Sequence, residues 1–286
     1  MRALPCASIV GLVLGSSPAF AQFDEMRFVV VRSVEAGCEP LCTEWISAEG
    51  EITSTSDDKF RETLKGLGKR RLPVVINSPG GDINAAMAIG RAIRKRGIDV
   101  LVGTTEFIGC QPSEKNCQTN RGRGAKYFGR PLINAFCNSA CPLVLAGGAH
   151  RYAAPSAFIG VHQVTTTITS TDIVYKTKYK MVGGKKKILS KKIVSRKKGK
   201  TQIVTQMNQA IEKNLRSYLQ EMGVSGIIVD RMKATDASDI SWVDIGTRKF
   251  TKLVENLDNS DMVLSSAACQ SVPAASHCRL ITTDDL

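Results

Sequence analysis

A short apolar run that stops at a turn lies at residues 73–82, which read Pro73-Val74-Val75-Ile76-Asn77-Ser78-Pro79-Gly80-Gly81-Asp82. Apolar residues bounded by turn residues are typical of a buried parallel strand. Residues 83–96 then keep apolar or small side chains at helical spacing and end in basic residues, which predicts a helix that Gly97 terminates. A second apolar run follows at residues 99–103. This strand–turn–helix–strand unit predicts an α/β fold with mainly parallel strands and right-handed crossovers.

Further elements follow from the same periodicities. The elements predicted before this unit are strands at residues 26–34 and 45–50 and a helix at residues 57–67. The elements predicted after it are an irregular excursion at 104–131, a strand at 131–136, a sharp turn at Ser139, a short buried helix, a strand at 157–161 that ends at His162, and helices at 202–222 and 225–232.

The N-terminus has the plan of a secretory signal peptide. Arg2 supplies a positive charge, residues 9–14 are apolar, and Ala19-Phe20-Ala21 is a small-x-small cleavage site. The apolar run is far shorter than the ~20 residues that span a bilayer, which disfavours a membrane anchor. We therefore predict a signal peptide at residues 1–21, a mature chain from Gln22, and an exported protein that is periplasmic or secreted.

The cysteines that follow the cleavage site fall along the sequence as close pairs. These cysteines are Cys38, Cys42, Cys110, Cys117, Cys137, Cys141, Cys269 and Cys278. An even number in an exported chain favours disulfides, and local pairing is the simplest interpretation, although sequence alone does not fix connectivity. Zinc is the alternative, but the sequence has only His150, His162 and His277 and no Cys-x-x-Cys pair, so we expect no metal site.

Three features are predicted at the carboxyl ends of strands, where open α/β sheets bind ligands: the Gly80-Gly81 turn, Ser139 and His162. A serine hydroxyl is a weak nucleophile until a base removes its proton, and histidine is the usual base. A Gly-Gly turn leaves a backbone N–H open because no side chain covers it. Gly81 and Ala140 are therefore the predicted oxyanion donors. Each feature alone is more often a plain turn or rim residue, and their order along the chain is what favours a site.

These residues resemble the proteolytic subunit of Clp protease and the wider crotonase-like superfamily. The resembling segments are Ile76-Asn77-Ser78-Pro79-Gly80-Gly81-Asp82, the Ser139 turn with Leu145-Ala146-Gly147-Gly148 after it, and Phe158-Ile159-Gly160-Val161-His162-Gln163. A set of exported Clp-like proteins is more similar still, through the segment from Cys38 to Gly50 and Cys137-Asn138-Ser139-Ala140-Cys141. The resemblance covers roughly residues 26–250 and implies a ββα superhelical core, a serine nucleophile and a histidine base.

The resemblance also implies an aspartate that orients the histidine, and here the sequence departs from the family. Asp236 is the candidate and Asp239 the alternative, because both precede an apolar–Ser step at Ile240-Ser241, but neither is in register without a one-residue gap. Cys137 and Cys141 also bracket the serine, which the family's Gly-rich turn does not show. Such a bracket would brace the turn or distort it.

A lysine-rich insertion at residues 164–201 separates the histidine from these aspartates, within a Clp-like domain predicted at 22–259 that a tail at 260–286 follows. A solvated, mobile loop is its ordinary interpretation. The functional interpretation is that Lys185–Lys200 contacts an anionic surface of lipid, polysaccharide or nucleic acid. The insertion also lies where the Clp-like family carries its subunit contacts, so it can modify assembly as a homo-oligomer.

The leading functional hypothesis is an exported serine peptidase that acts on peptide or protein substrates and needs no cofactor. One alternative is a catalytically inactive Clp-like binding or assembly protein that uses the basic segment. Acyl-CoA chemistry is a further alternative, which export and the Ser–His pair disfavour. No ATPase partner is expected, because an exported chain has no access to cytoplasmic ATP.

Overall fold

The computed structural model describes residues 23–115, 117, 125–257 and 262–281. The predicted signal peptide at residues 1–21 lies outside the described residues. The strands are β1 Arg27–Ser33, β2 Leu41–Glu49, β3 Val74–Asn77, β4 Val100–Val102, β5 Thr104–Ile108, β6 Tyr127–Leu132, β7 Phe136–Asn138, β8 Arg151–Ala153, β9 Phe158–Val161, β10 Thr166–Val182, β11 Lys185–Val204, β12 Ser241–Trp242 and β13 Cys278–Leu280. The helices are α1 Ser56–Gly66, α2 Ile83–Arg96, α3 Cys141–Ala146, α4 Gln209–Glu221, α5 Ile227–Ala234, α6 Ile245–Phe250 and α7 Ala267–Gln270, with a 3-10 turn at Met262–Leu264.

The main sheet has eight strands in the order β5-β6-β1-β2-β3-β4-β8, with β13 paired to β2. The pairs β2–β3, β3–β4, β4–β8 and β1–β6 are parallel, whereas β1–β2 and β5–β6 are antiparallel. A smaller sheet has the order β12-β9-β7, and its β7–β9 pair is parallel. The predicted α/β class with mainly parallel strands and flanking helices is confirmed.

Both faces of the main sheet are buried, because its central strands alternate their apolar side chains between two cores. Ile46, Val74 and Val100 lie in the larger core with the helices, whereas Trp45 and Val75 lie in a smaller core on the opposite face. This two-sided burial fixes the register of each strand, since a shift by one residue would exchange the two faces.

Helix α2 has a cap at each end, of which the sequence predicts the one at Gly97. The Asp82 carboxylate accepts hydrogen bonds from the N–H groups of Asn84 at 2.9 Å and Ala85 at 2.8 Å. Gly97 ends the helix in the left-handed conformation with φ 61°. The cap fixes the chain direction immediately after the Gly80-Gly81 turn, so it also positions that turn.

Three sequence predictions about elements are wrong, and the strand predicted at 131–136 is misplaced, since β6 ends at Leu132 and β7 begins at Phe136. The excursion predicted as irregular at residues 104–131 contains β5 and β6, which pair with each other and join the sheet through β1. The helix predicted from residue 202 begins only after Asn208, whose side chain accepts a hydrogen bond from the Ile211 N–H at 2.9 Å, and residues 202–204 belong to β11. The cause is that the apolar spacing of the helix continues into a β-branched run.

The third wrong prediction is the loop, because the lysine-rich insertion forms a long antiparallel hairpin of β10 and β11. The insertion is highly charged, but parts of it alternate basic and apolar residues, which is typical of strands. The segment predicted as a tail also adds structure, since β13 pairs with β2. None of the helices in the described ranges is both long and apolar enough to cross a membrane.

Candidate active site

Three strand ends meet at the candidate site, as the sequence predicts. Strand β3 leads into Ser78, which forms a parallel bridge with Cys137 of β7. The Ser78 N–H donates to the Phe136 carbonyl at 3.0 Å, and the Asn138 N–H donates to the Ser78 carbonyl at 3.0 Å. Because β7 also pairs with β9, the chain segments after β3, β7 and β9 lie side by side.

Ser139 sits on a sharp turn between β7 and α3. Its φ is 58°, in the left-handed region that residues other than glycine rarely adopt. The turn is held by a hydrogen bond from the Ser139 N–H to the Gly160 carbonyl at 2.9 Å. Such strain costs about 1 kcal/mol or more, and nucleophilic serines on a strand-to-helix turn carry it because the turn exposes the hydroxyl.

The Gly80-Gly81 turn packs directly against this serine. Gly80 has φ 104° and Gly81 has φ 133°, both of which favour glycine. A Cβ at Gly80 would overlap the Ser139 Cβ and would lie 2.6 Å from the Asn138 carbonyl oxygen and 2.8 Å from the Ala140 nitrogen. The backbone of Gly80 therefore approaches Ser139 so closely that no side chain fits between them.

Two backbone N–H groups beside Ser139 are left without a hydrogen-bond acceptor in the described part of the chain. The neighbours of Gly81 pair with Ile52, since the Ile52 N–H donates to the Gly80 carbonyl and the Asp82 N–H donates to the Ile52 carbonyl, both at 2.7 Å. The Gly81 N–H itself is unpaired, and so is the Ala140 N–H at the start of α3. These are the two donors that the sequence predicts for an oxyanion.

His162 follows β9 and is half-buried. Its Nδ1 lies 2.9 Å from the Gln163 carbonyl oxygen. A carbonyl oxygen only accepts, so this contact requires the hydrogen on Nδ1. In the neutral imidazole the lone pair then lies on Nε2, which is the tautomer that a general base requires.

Three hydrogen bonds hold Gln163 and fix its backbone carbonyl beside His162. Its N–H donates to the Thr235 carbonyl at 3.0 Å, and its side-chain amide donates to the Lys233 carbonyl at 2.9 Å. Its side-chain oxygen accepts from the Met207 N–H at 3.0 Å. Gln163 therefore ties the end of β9 to α5 and to the segment before α4.

The predicted aspartates are not brought to the histidine. The Asp236 and Asp239 side chains are exposed, and no hydrogen bond or ion pair joins either to His162 among the described residues. The Asp239 carboxylate instead accepts from the Ile240 N–H at 2.7 Å. The position at Nδ1 that an orienting aspartate would occupy is taken by the Gln163 carbonyl.

Ser139 and His162 line one cleft of about 490 Å³. Gly81 and Asp82 form part of its wall, and so do Thr166 and Thr167 at the base of the hairpin. No hydrogen bond joins Ser139 to His162 within the described ranges. Catalytic hydrogen bonds are often long before substrate binds and tighten in the complex. A serine and a histidine that share this cleft without a hydrogen bond are therefore compatible with a nucleophile and its base.

The structure joins the cysteines in the local pairs that are the simplest interpretation of the sequence. The disulfides are Cys38–Cys42, Cys110–Cys117, Cys137–Cys141 and Cys269–Cys278. Cys110, Glu114 and Cys117 have ligand atoms within 4.8 Å of one another, but the disulfide removes the two thiolates that a metal would need. Cys137–Cys141 brackets Ser139, and the Ser139 N–H keeps its hydrogen bond to the Gly160 carbonyl beside this disulfide.

Sequence reasoning missed two contributors to the site. The sequence motif marks Gly80 only as the partner of Gly81, although Ser139 can approach this closely because Gly80 has no side chain. The Gln163 carbonyl has no signature in the sequence motif, because every residue carries a backbone acceptor. Its only signal in the sequence is its position directly after His162.

Comparisons with known proteins return ClpP-type and related proteases by structure alone. No family model and no curated protein matches the chain. A mutant of the 1510-N membrane-bound stomatin-specific protease is 15% identical with a TM-score of 0.42, over 83% of this chain and 91% of that one. ClpP1 from Listeria monocytogenes is 13% identical with a TM-score of 0.37, over 72% and 86% of the two chains. The ClpP protease catalytic domain from Plasmodium falciparum is 15% identical with a TM-score of 0.38, over 73% and 80%.

Proposed function

We propose that this chain is an exported serine hydrolase that cleaves peptide bonds with Ser139 and His162. The single observation that carries the proposal is the composition of the cleft. Its lining combines a serine in a strained turn, a histidine whose Nδ1 is held by a backbone carbonyl, and Gly81, whose N–H is unpaired among the described residues. The second unpaired N–H belongs to Ala140, a buried residue directly after the serine. These are the nucleophile, the base and the oxyanion donors of acyl transfer.

The chemistry follows from these roles. The Ser139 hydroxyl attacks the scissile carbonyl carbon and gives its proton to His162 Nε2. The oxyanion that forms accepts hydrogen bonds from the Gly81 and Ala140 N–H groups. The imidazolium then protonates the leaving amine, and a water molecule repeats the sequence on the acyl-enzyme and frees Ser139.

In this proposal the Gln163 carbonyl replaces the aspartate as the group that orients His162. It accepts the Nδ1 hydrogen as a carboxylate would, but a neutral acceptor stabilises the imidazolium less. We therefore expect Asp236→Asn and Asp239→Asn each to reduce the reaction rate by less than about tenfold, against the ~10⁴-fold loss for a true triad aspartate. A loss of about 10⁴-fold in either variant would contradict this and would support that aspartate as the third member of the triad that the resemblance implies.

The experiment is covalent labelling of the oxidised protein with a fluorophosphonate probe. We expect stoichiometric labelling that is lost in Ser139→Ala and His162→Ala. The matched controls are Ser238→Ala and His150→Ala, whose side chains are exposed and lie outside the cleft. Absence of labelling in a well-folded protein would reject the hydrolase and favour the inactive binding protein. A positive result leads to a screen of peptide substrates.

Export is the remaining part of the proposal. The four disulfides support it, because structural disulfides persist in oxidising compartments and are rare in the cytosol. We expect the cleaved chain in the periplasmic or extracellular fraction, starting at Gln22 and without a free thiol. A chain that keeps Met1 in the cytosolic fraction would contradict export without affecting the site.

A further inference from the structure

The hairpin of β10 and β11 forms a two-stranded sheet of its own. Its strands pair from Thr166 opposite Val204 to Val182 opposite Lys185, and the Gly183-Gly184 turn closes it. At ~3.3 Å per residue it is roughly 55 Å long. All of its residues are exposed except Thr166, Gly199 and Val204, which are half-buried. A two-stranded hairpin is marginal in water, so a surface that covers it is expected.

The hairpin also carries most of the net charge of the chain. Residues 166–204 contain eleven lysines, Arg196 and a single acidic residue, Asp172, which gives a formal charge of +11 out of +13 for the whole chain. The rest of the molecule is therefore nearly neutral. A positive charge that is concentrated along one projecting element suits an extended anionic surface better than a small anion.

The strand register divides the hairpin into two faces. Side chains directly opposite each other share a face, and successive residues alternate between faces. On the basic face the cross-strand pairs include Lys176 opposite Lys192 and Lys180 opposite Lys187. On the apolar face the pairs include Tyr175 opposite Ile193, Tyr179 opposite Ile188, and Met181 opposite Lys186. The apolar side chains are open to solvent, with Ile188 62% and Met181 57% exposed.

The chemistry of the apolar face distinguishes between anionic partners. Nucleic-acid binding would use the tyrosine rings as stacking platforms. Here Lys191 Nζ lies 3.8 Å from the centre of the Tyr175 ring, and Lys186 Nζ lies 4.8 Å from that of Tyr179. Each ring therefore already has a cation on one of its faces. The most exposed apolar residues of the hairpin are aliphatic, namely Ile203 at 65%, Ile188 at 62% and Val194 at 62%, and these favour a lipid interface.

We infer that this hairpin docks on the surface of an anionic phospholipid bilayer. Aliphatic side chains of the apolar face enter the interface, where Lys186 and Lys191 on the same face reach lipid phosphates. The lysines of the basic face point away from the bilayer and add electrostatic attraction to its anionic surface. Thr166 and Thr167 at the base of the hairpin line the cleft that holds Ser139 and His162. Docking would therefore hold the cleft within one hairpin length of the bilayer. The inference does not depend on hydrolytic activity.

The test is flotation of the purified full chain with vesicles of phosphatidylcholine alone or with about one third phosphatidylglycerol. We expect binding only to the anionic vesicles, and weaker binding as salt is raised. Neutralising Lys185, Lys187, Lys191 and Lys192 to glutamine should lower the partition coefficient on the order of several hundred-fold, at roughly a factor of five per lysine. Neutralising the exposed body lysines Lys65, Lys69, Lys95 and Lys249 is the matched control and should have little effect.

A second variant separates lipid insertion from simple charge attraction. Ile188→Ser with Ile193→Ser keeps every charge and should lower partitioning at least tenfold. Circular dichroism and thermal melting of each variant show whether it has folded. Unchanged binding by this variant would overturn the inference, and so would equal binding to neutral vesicles or the absence of binding. Two further outcomes would overturn it: stronger binding to duplex DNA than to vesicles, and a dimer without lipid that the isoleucine variant dissociates.

Discussion

The contact between Gly80 and Ser139 gives the sharpest test of the site, through the substitution Gly80→Ala. An alanine Cβ would overlap the Ser139 Cβ and lie 2.6 Å from the Asn138 carbonyl oxygen and 2.8 Å from the Ala140 nitrogen. These separations are about 1 Å short of the ~3.5–4.0 Å at which non-bonded heavy atoms pack. The turn and the serine must therefore move apart by a distance of that order.

The expected loss of activity follows from that displacement. A misplacement of about 1 Å at reacting groups costs on the order of 100-fold in rate. Loss of an oxyanion donor costs about 100- to 1000-fold. We therefore expect Gly80→Ala to reduce the rate of fluorophosphonate labelling at least ~100-fold. The φ of 104° adds backbone strain of about 1–3 kcal/mol to the free energy of folding.

The matched control is Gly97→Ala, which carries strain without the clash. Gly97 has φ 61°, and the nearest atom to a Cβ there is Arg71 Nη1 at 3.8 Å. We expect this variant to lose about 1 kcal/mol of stability and to label at the wild-type rate. Gly80→Ala that labels as fast as Gly97→Ala would refute the geometry of the oxyanion site. If the wild-type serine does not label, a lower melting temperature for Gly80→Ala than for Gly97→Ala still tests the contact.

Two further predictions concern the disulfide beside Ser139 and the half-buried His277. Replacing Cys137 and Cys141 together by alanine should slow fluorophosphonate labelling under conditions in which the variant remains folded, because the disulfide constrains the turn that carries Ser139. Labelling at the wild-type rate in a folded variant would contradict this. Burial lowers the pKa of His277 below its ordinary value of 6.5, and its Nε2 has no hydrogen-bond partner among the described residues. Below about pH 6.5 the unfolded chain therefore binds the proton first, so the free energy of unfolding should fall as the pH falls through and below that value. Urea denaturation at pH 7.5 and 5.5 should show a smaller loss in His277→Gln than in the wild type or in the exposed control His150→Gln, and equal losses would contradict the assignment.

Local patterns in the sequence determined much of the fold. The strand, turn and helix at residues 74–96 follow from short-range apolar spacing, the Asp82 cap and Gly97, which act within a few residues of one another. The Gly-Gly turn, Ser139 and His162 each follow a predicted parallel strand, so the sequence alone predicts that they lie at one edge of a sheet. The pairing of these strands is consistent with that prediction. The disulfides also close short loops, with separations of 4 to 9 residues.

Only the tertiary structure decided the features that depend on distant contacts. Strand β6 joins β1 across almost one hundred residues of sequence, and no local pattern specifies that pairing. The acceptor at His162 Nδ1 is a backbone carbonyl, held through hydrogen bonds from Gln163 to Lys233 and Thr235. The cross-strand register of the hairpin likewise pairs Ile188 and Ile193 with tyrosines, and Lys187 and Lys192 with lysines. In each case the deciding interaction joins groups far apart in the chain, where side-chain identity alone carries no signal.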